Sequence, residues 1–248
     1  LEFRRVLFRS GGNRNPARDV AWRAIELDVT NDAHCARAIV DILAKHGRLD
    51  VLINNAGLVY AGAVEDTSIA EAQRQFDINY FGAVRLIRAA LPAMRGQGAG
   101  LIINISSLAG RLGLPFQAHY SATKFALEGL TEALRPEVAA HGIEVVLVEP
   151  GDIATNVVTT RVRVEKSGEG SAYSGDFQRL VALYAKEEAA GSQPEVVAGR
   201  IAAIIATSRP AVRYTSGALA QRVLVALKPF FPSRFYESCL MKYYGLRR

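Results

Sequence analysis

The sequence predicts an α/β fold organised around a doubly wound parallel sheet. Short apolar runs at residues 49–53, 101–105 and 143–148 are typical of buried strands. Longer segments with helical periodicity separate these runs, so strands and helices alternate along the chain. Such alternation favours parallel pairing, because each helix carries the chain back across one face of the sheet.

Length and composition are those of one α/β domain. The chain has 248 residues, half of them apolar, which is enough to bury a large core. The two cysteines, Cys35 and Cys239, lie far apart, which favours a reducing compartment and hence the cytoplasm. We find no apolar run of about 18 residues and expect no membrane span. The histidines show no paired ligand spacing, so we predict no metal site.

The net charge of +6 is concentrated at the two ends of the chain. Residues 1–18 carry five arginines, and residues 209–248 carry eight lysines and arginines against Glu237 alone. A basic tail could bind an anionic membrane surface or nucleic acid, whereas the plainer interpretation is a solvated protein edge. We predict no nucleic-acid partner and leave peripheral membrane contact through the C-terminus open.

The first elements of the predicted pattern are a short strand and a helix. Residues 24–30 are expected to form a strand that ends in a turn, and residues 31–46 a helix. Apolar residues recur along this helix at helical spacing and are expected to face the core. They are Ala33, Ala36, Ile39, Val40 and Leu43.

Two longer helical regions occupy the middle of the chain. The first covers residues 66–95. The second runs through Tyr120, and Pro136 is expected to kink or end its regular part because proline removes a hydrogen bond. Towards the C-terminus, residues 195–207 are a predicted helix and residues 210–215 a last strand.

The chemically most informative stretch is residues 106–124. Tyr120 and Lys124 are four residues apart, which places them on the same face of a helix. A lysine ammonium beside a phenol lowers the tyrosine pKa, and such a phenol can give a proton to a ketone or take one from an alcohol. Ser107 follows the predicted strand 101–105, so we expect it at the carboxyl edge of the sheet, where ligands bind.

Two of these motifs resemble a known family. Tyr-Ser-Ala-Thr-Lys at residues 120–124, preceded by Asn-Ile-Ser-Ser at residues 104–107, resembles the catalytic centre of the short-chain dehydrogenase/reductase family. The resemblance covers about residues 11–245 and implies a Rossmann-like fold. It also implies an enzyme that transfers a hydride between NADP(H) and a small hydrophobic ketone or alcohol.

The resemblance implies four catalytic residues. Tyr120 is the acid in reduction and the base in oxidation, Lys124 lowers its pKa and holds the nicotinamide ribose, and Ser107 hydrogen-bonds the substrate oxygen. Asn79 is matched to a residue that holds a proton-relay water, with a purely structural hydrogen-bonding role as the rival. The aromatic residues around Asn79 resemble a subunit contact, which implies a homodimer or homotetramer.

Several further motifs match the family's cofactor site. Asn-Asn-Ala-Gly begins at Asn54, and the resemblance assigns Asn54, Ala56 and Gly57 to the adenosine side. Asp28 and Val29 match the adenine-binding position. The alternative for Asp28 is a place at the N-cap of the helix that follows.

The nicotinamide side and the cofactor preference rest on two other matches. Pro150, Gly151, Ile153 and Thr155 correspond to the family's nicotinamide-side loop. Arg14 matches a basic residue that meets the 2′-phosphate, although an ordinary solvated loop arginine is the alternative. The resemblance therefore implies NADP(H) in preference to NAD(H).

The N-terminal region departs from the family pattern. The Gly-rich turn of the type Thr-Gly-x-x-x-Gly-x-Gly is not found, so we expect an N-terminally truncated fold. Residues 1–10 are interpreted as a non-native segment, and residues 11–248 as one Rossmann-like domain. Two alternatives to the enzyme therefore stay open: a fragment deficient in cofactor binding and a non-catalytic nucleotide-binding homologue.

Two segments are assigned to the substrate. Residues 156–190, polar and Gly/Ser-bearing at their start, are predicted to form a flexible substrate lid. Residues 210–248 resemble the C-terminal helical extension of hydroxysteroid dehydrogenase-like members, which implies a steroid-, retinoid- or lipid-like substrate. Their apolar residues could wall a substrate pocket, form a dimer contact or enter a membrane surface. These residues are Phe230, Phe231, Phe235, Tyr236, Leu240 and Met241.

Overall fold

In the computed structural model the chain is described over residues 25–154 and 161–246. Its first part runs through α1 (Asp32–His46), β1 (Val51–Asn54), β2 (Tyr60–Ala61), α2 (Ile69–Phe76), a π-helical turn (Asp77–Phe81), α3 (Gly82–Gln97) and β3 (Gly100–Ile105). A 3₁₀ turn (Leu108–Gly110) leads to α4 (Ala118–Ala139), β4 (Ile143–Pro150), β5 (Val162–Arg163), α5 (Ser174–Ala189), α6 (Pro194–Ile205) and β6 (Arg213–Ser216). Then follow α7 (Leu219–Leu227), a 3₁₀ turn (Lys228–Phe230) and α8 (Ser233–Tyr243).

The predicted doubly wound parallel sheet is confirmed. Its described strands have the order β1–β3–β4–β6, and every neighbouring pair is parallel. Leu52 pairs with Ile102, and Ile102 pairs with Val145. Strands β2 and β5 form a separate parallel pair. Because all strands of the main sheet run the same way, their carboxyl ends meet at one edge.

Helices cover both faces of the sheet. Ile102 and Val145 belong to one cluster with residues of α1, α3 and α4. Ile103 and Val146 belong to a second cluster, in which they pack against Ile204 of α6. Successive residues of one strand therefore enter different cores, which explains why apolar residues predominate at consecutive positions of the predicted strands.

The strand predicted at residues 24–30 is not present in the described residues 25–30. Leu27 and Val29 are buried while Asp28 is exposed, so burial alternates as in a strand. A β-strand also needs a neighbour that accepts and donates its backbone hydrogen bonds. No described strand pairs with this segment.

The helix predicted at residues 31–46 is α1, but it turns a different face to the core. Its buried residues are Cys35, Ala38, Ile39 and Ile42. Of the predicted stripe, Ala33, Ala36 and Val40 are exposed. The prediction is confirmed for Ile39 and Leu43, which pack in the core. It was wrong for the other three because α1 has apolar residues on two faces, and packing selected the face that carries both isoleucines.

The helical region at residues 66–95 is not one regular helix. The π-helical turn Asp77–Phe81 separates α2 from α3 and brings the Asn79 side chain into the interior. Later in the chain, α4 does not end at Pro136 but continues to Ala139. Proline in the last turn removes one hydrogen bond without ending the helix.

The segment predicted as a lid contains regular structure. Its described part includes β5 and α5, and α5 buries Phe177, Leu180, Val181 and Tyr184. The C-terminal extension contains β6, the predicted last strand, followed by α7, the 3₁₀ turn and α8. Within the described residues, no helix combines the length and the apolarity needed to cross a bilayer.

Candidate active site

The carboxyl ends of the strands open into a cleft of about 680 Å³. This volume lies within the range of roughly 300–1,000 Å³ that is usual for small-molecule sites. Ser107, Tyr120 and Lys124 all line the cleft. Much of the remaining wall is apolar and includes Ile201 of α6 and Leu224 of α7. The cleft lies where ligands bind to doubly wound sheets.

Ser107 lies two residues after the end of β3, in extended backbone, and forms the N-cap of the 3₁₀ turn. Its Oγ accepts a hydrogen bond from the Ala109 amide at 3.1 Å. The same hydroxyl donates to the Pro150 carbonyl at 3.4 Å, which ties the end of β3 to the end of β4. The side chain is therefore held at the cleft by a backbone group of the 3₁₀ turn and one at the end of β4.

Tyr120 lies in the first turn of α4 and is half-buried, with its ring against the cleft. Burial raises the pKa of the Tyr120 phenol above its usual value, although the Ser107 hydroxyl lowers it. The expectation of a phenol shifted towards neutrality by Lys124 is not met in this structure. Desolvation of the phenolate outweighs the other effects, so Tyr120 is protonated at neutral pH.

Lys124 follows one helical turn later and is buried. Its Nζ donates to the Ile105 carbonyl at 2.8 Å and lies 5.7 Å from the centroid of the Tyr120 ring. Burial lowers the pKa of Lys124 to about 8. The ammonium is therefore present at neutral pH and is lost in the mildly alkaline range.

Asn79 is buried in the π-helical turn and holds the loop that follows β1. Its Oδ1 accepts from the Leu58 amide at 2.7 Å, while its Nδ2 donates to the Leu58 carbonyl at 2.9 Å and to Thr123 Oγ1 at 3.1 Å. This is the structural role that the sequence left as the rival. The relay role stays a prediction.

Asn54, Ala56 and Gly57 lie at the carboxyl end of β1. Asn54 is buried, and its Nδ2 donates to Asn104 Oδ1 of β3 at 2.8 Å. Ala56 lines a narrow gap beside Val29, whereas Gly57 lines the main cleft near Lys124. Asn54 therefore joins two strands, and Gly57 reaches the cleft itself.

Asp28 and Val29 differ in exposure. The exposed Asp28 carboxylate accepts from the Thr30 amide at 2.9 Å, and this hydrogen bond lowers its pKa. The helix N-cap is Asn31, which accepts from the first-turn amides. The Asp28 carboxylate is accessible, whereas the Val29 side chain is fully buried against Gly82.

Pro150 ends β4, and Gly151 and Ile153 follow it along the cleft. The Gly151 amide donates to the Ser216 carbonyl at 2.7 Å. A Cβ on Gly151 would lie 2.4 Å from Gln221 Oε1, so glycine permits this close approach to α7. Arg14 and Thr155, both assigned to the cofactor, lie outside the described residues.

The sequence did not reveal a group of carboxylates in the wall of the cleft. We call Asp152, Glu187 and Glu188 the acidic cluster; all three line the cleft. Burial raises the pKa of each carboxyl. Glu188 forms an ion pair with Arg161, whose side chain is 3% exposed. Glu187 and Glu188 are neighbours on α5, whereas Asp152 follows β4, so no local spacing indicates that they meet.

The C-terminal extension walls the cleft with residues other than those expected. Leu224, Val225, Leu240, Tyr243 and Tyr244 line it. Of the six residues singled out in the sequence, Leu240 alone is among them. Phe230, Phe231 and Phe235 are exposed, and Tyr236 is buried elsewhere. The residues that line the cleft are thus largely different from the exposed aromatic residues of the same extension.

The cleft suits the reacting half of a nicotinamide dinucleotide. It lies at the carboxyl edge of a parallel sheet and presents a buried ammonium, Lys124, beside the backbones of Gly57 and Gly151. Backbone groups and a cation are the usual partners of ribose, carboxamide and phosphate oxygens. A doubly wound sheet commonly binds a dinucleotide at this edge. The serine, tyrosine and lysine there are the residues that the family resemblance assigns to an oxidoreductase.

The family profile described as short chain dehydrogenase matches residues 14–166, and the chain belongs to this family. It is 38% identical, over 96% of its length and 88% of the relative's, to a 3-ketodihydrosphingosine reductase of Bacteroides thetaiotaomicron. Since that relative is named for a sphingoid ketone, the hydroxysteroid-like subtype fits only loosely.

Solved structures agree on fold and cofactor class. A short-chain dehydrogenase from Streptomyces avermitilis has a TM-score of 0.73 and 33% identity, covering 90% of this chain and 80% of that one. ElxO with NADP bound has 35% identity and a TM-score of 0.52 over 53% of this chain and 54% of its own. A family member from Burkholderia phymatum in complex with NAD has 25% identity and a TM-score of 0.72 over 84% and 75%.

Proposed function

We propose that the protein is an NADP(H)-dependent reductase of long-chain apolar ketones. One observation carries this proposal: Ser107, Tyr120 and Lys124 lie together at the head of a large, mostly apolar cleft. The apolar walls of such a cleft remove an alkyl chain from water. Its polar end, formed by Ser107, Tyr120 and Lys124, is the place where a carbonyl group can be polarised.

The chain's own residues supply the proton that the carbonyl oxygen receives and orient the substrate carbonyl group. When bound, the nicotinamide cofactor supplies the hydride. Tyr120, kept protonated by burial, donates its phenolic proton to the carbonyl oxygen, and the Ser107 hydroxyl donates a hydrogen bond to that oxygen. The Lys124 ammonium then stabilises the tyrosinate. We assign cofactor contacts to Lys124, Gly57 and the Pro150–Gly151 backbone, and retain Asp28, Arg14 and Thr155 as predictions.

The acidic cluster favours a substrate with a cationic head. Glu188 pairs with Arg161, whereas Asp152 accepts from the Gln221 amide and Glu187 from the Tyr243 hydroxyl, both neutral groups. Carboxylates with raised pKa values gain most from an incoming cation. The named relative acts on 3-ketodihydrosphingosine, a long-chain ketone with an amino group beside the carbonyl. We infer a long-chain 2-amino ketone as substrate.

Asp152→Asn tests this substrate class. We expect KM for a long-chain 2-amino ketone to rise about tenfold or more, because a charge-assisted contact contributes roughly 1.5–3 kcal/mol. KM for the same ketone without its amino group should change less than about twofold. Steady-state NADPH oxidation with both ketones measures the difference. Repeating it with NADH tests the NADP(H) preference assigned to Arg14.

Glu195→Gln is the matched control, because Glu195 is exposed at the start of α6. It removes the same charge and should leave both KM values unchanged. Equal rises of KM for both ketones in Asp152→Asn would contradict recognition of the ammonium. Absence of turnover together with absence of NADPH binding in calorimetry would favour the fragment without cofactor binding.

We further propose a cytoplasmic protein that touches membranes through one apolar patch. We call Leu219, Val223, Leu227, Phe230, Phe231 and Phe235 the C-terminal patch; all are exposed. Phe230 is 80% exposed, and the exposed Arg222 and Arg234 lie on the same helices. Aromatic residues beside basic ones suit an anionic lipid surface. The homodimer or homotetramer implied by the family stays a prediction.

Replacing Phe230 and Phe235 by serine tests the patch. We expect the double variant to lose most of its binding to anionic phospholipid vesicles in a flotation assay, because two aromatic anchors leave the interface. Val40→Ser, an exposed residue of α1, is the control and should bind as the wild type does. Unchanged flotation of the double variant would contradict the proposal.

A further inference from the structure

Four ionisable side chains follow one another along α4. Tyr120, Lys124, Glu128 and Glu132 are each four residues apart, which places them on successive turns of one face. The first two line the cleft, Glu128 is buried one turn further on, and Glu132 is exposed. The proposed reaction uses Tyr120 and Lys124, so the buried carboxyl of Glu128 is unexplained.

Glu128 belongs to a buried ionic cluster behind the active site. Arg213 Nη2 of β6 lies 3.0 Å from Glu128 Oε2, and Arg213 Nε lies 3.0 Å from Glu149 Oε1 of β4. Arg111 Nη1 is 3.7 Å from Glu149 Oε2. The exposed Glu132 forms a further ion pair with Arg213. Two buried carboxylates therefore share one close guanidinium.

This arrangement makes Glu128 change its charge near neutrality. Burial and the neighbouring Glu149 carboxylate raise the pKa of Glu128 to about 7, against the lowering effects of Ser106 and Arg213. Its charged neighbours are Lys124 and Glu132 on α4, Glu149 on β4 and Arg213 on β6. Glu128 is thus mostly protonated below about pH 7 and mostly ionised above it.

Glu128 also lies next to the strand end that carries Ser107. Lys124 Nζ donates to the Ile105 carbonyl, and the Ser106 hydroxyl faces Glu128 one residue later. A Cβ on Gly110 would lie 2.7 Å from Ser106 Oγ and 3.0 Å from Glu128 Cγ, so glycine allows this approach. Lys124 therefore holds Ile105, and Glu128 lies against Ser106, the residue immediately before Ser107.

We propose that Glu128 is a positioning residue of the active site. Its carboxylate keeps Lys124 charged and, through Ser106, fixes the strand end from which Ser107 projects. It acts through these residues and not on the substrate. The inference rests on the proposed function, because it concerns the protonation of the lysine assigned to that reaction.

Glu128→Gln should change the pH profile of ketone reduction. At pH 6 the wild-type carboxyl is protonated and resembles glutamine, so kcat/KM of the two proteins should agree within about twofold. Above pH 7 the variant lacks the carboxylate that supports the Lys124 ammonium. We expect its kcat/KM to be about tenfold below wild type at pH 8.5, the effect of a pKa shift of about one unit, with KM nearly unchanged.

Glu132→Gln is the matched control. It removes a carboxylate from the same guanidinium, but the exposed Glu132 is a turn further from Lys124, so the profile should follow wild type. A folded Glu128→Gln protein whose profile coincides with that of wild type would overturn the inference. A uniform loss at every pH would also overturn it, since that is the signature of a purely structural role.

A titration of Lys124 by NMR separates this inference from the proposed function. The lysine Cε resonance, assigned with Lys124→Met, should titrate about one pH unit lower in Glu128→Gln than in wild type. If the Lys124 midpoint differs between the two proteins as expected but the wild type reduces no ketone, the proposed function is refuted and the coupling of Glu128 to Lys124 is supported. An unchanged midpoint would refute the inference even in an active enzyme.

A second variant covers the case in which Glu128→Gln fails to fold. Glu149→Gln removes the neighbouring negative charge, so Glu128 should ionise at lower pH and continue to support Lys124. The Lys124 midpoint should then stay at or above the wild-type value. A lower midpoint in Glu149→Gln would contradict the assigned coupling.

Discussion

Tyr120→Phe is expected to lower kcat/KM for ketone reduction about a thousandfold, within the range of roughly 10²–10⁴ typical of a lost general acid. Phenylalanine keeps the ring against the cleft but removes the proton donor. NADPH affinity should stay within about threefold, because the assigned cofactor contacts of Lys124 and the loop backbones persist. Single-turnover NADPH oxidation measures the loss, and calorimetry measures the affinity.

Tyr173→Phe is the matched control for this substitution. Tyr173 is an exposed tyrosine whose hydroxyl donates to Glu65 Oε2 at 2.7 Å, on the surface of the protein. Its loss should leave kcat/KM within about twofold of wild type. Turnover of Tyr120→Phe above about a tenth of the wild-type rate would show that another group delivers the proton.

Phe177→Ala is expected to lower the free energy of unfolding by about 3–5 kcal/mol, the usual cost of deleting a buried phenylalanine ring. Phe177 is 1% exposed and packs with Ala61 and Val181, while the Phe116 ring centroid lies 5.8 Å away. The truncation would leave a cavity between α5 and the loop before α4. Urea unfolding followed by circular dichroism measures the loss.

The same experiment tests the predicted substrate lid. Phe177 lies within residues 156–190, which the sequence assigned to a flexible lid, yet it is fully buried. Phe230→Ala, which truncates an exposed phenylalanine, should change stability by less than about 0.5 kcal/mol. A similarly small effect of Phe177→Ala would mean that α5 opens without unfolding the rest, as a lid does.

The alternation of strands and helices was predictable because it depends on local periodicity. Residues 101–105 and 143–148 are apolar except for Asn104 and Glu144, since parallel strands are buried on both faces. Tyr120 and Lys124 could be placed on one helical face from their spacing, and Ser107 at the strand end from the run before it. Each of these inferences needs only a few neighbouring residues.

The sequence-based predictions were wrong where the local structure depends on contacts with a distant part of the chain. The strand at residues 24–30 was expected from its own pattern, but a strand exists through its neighbour's hydrogen bonds. The exposed Val40 of α1 was expected in the core because the sequence does not say which apolar face meets α3. Sequence periodicity shows which faces of a helix are apolar, and tertiary packing determines which of these faces is buried.

The sequence by itself determined the fold class, the family resemblance and the residues proposed for the reaction, since these depend on spacing along short segments. The tertiary structure alone decided the electrostatics. Burial sets the raised pKa of Tyr120, and the meeting of α4, β4 and β6 sets the charge of Glu128. Desolvation and Coulomb interactions depend on distances between groups far apart in the chain, and only folding fixes those distances.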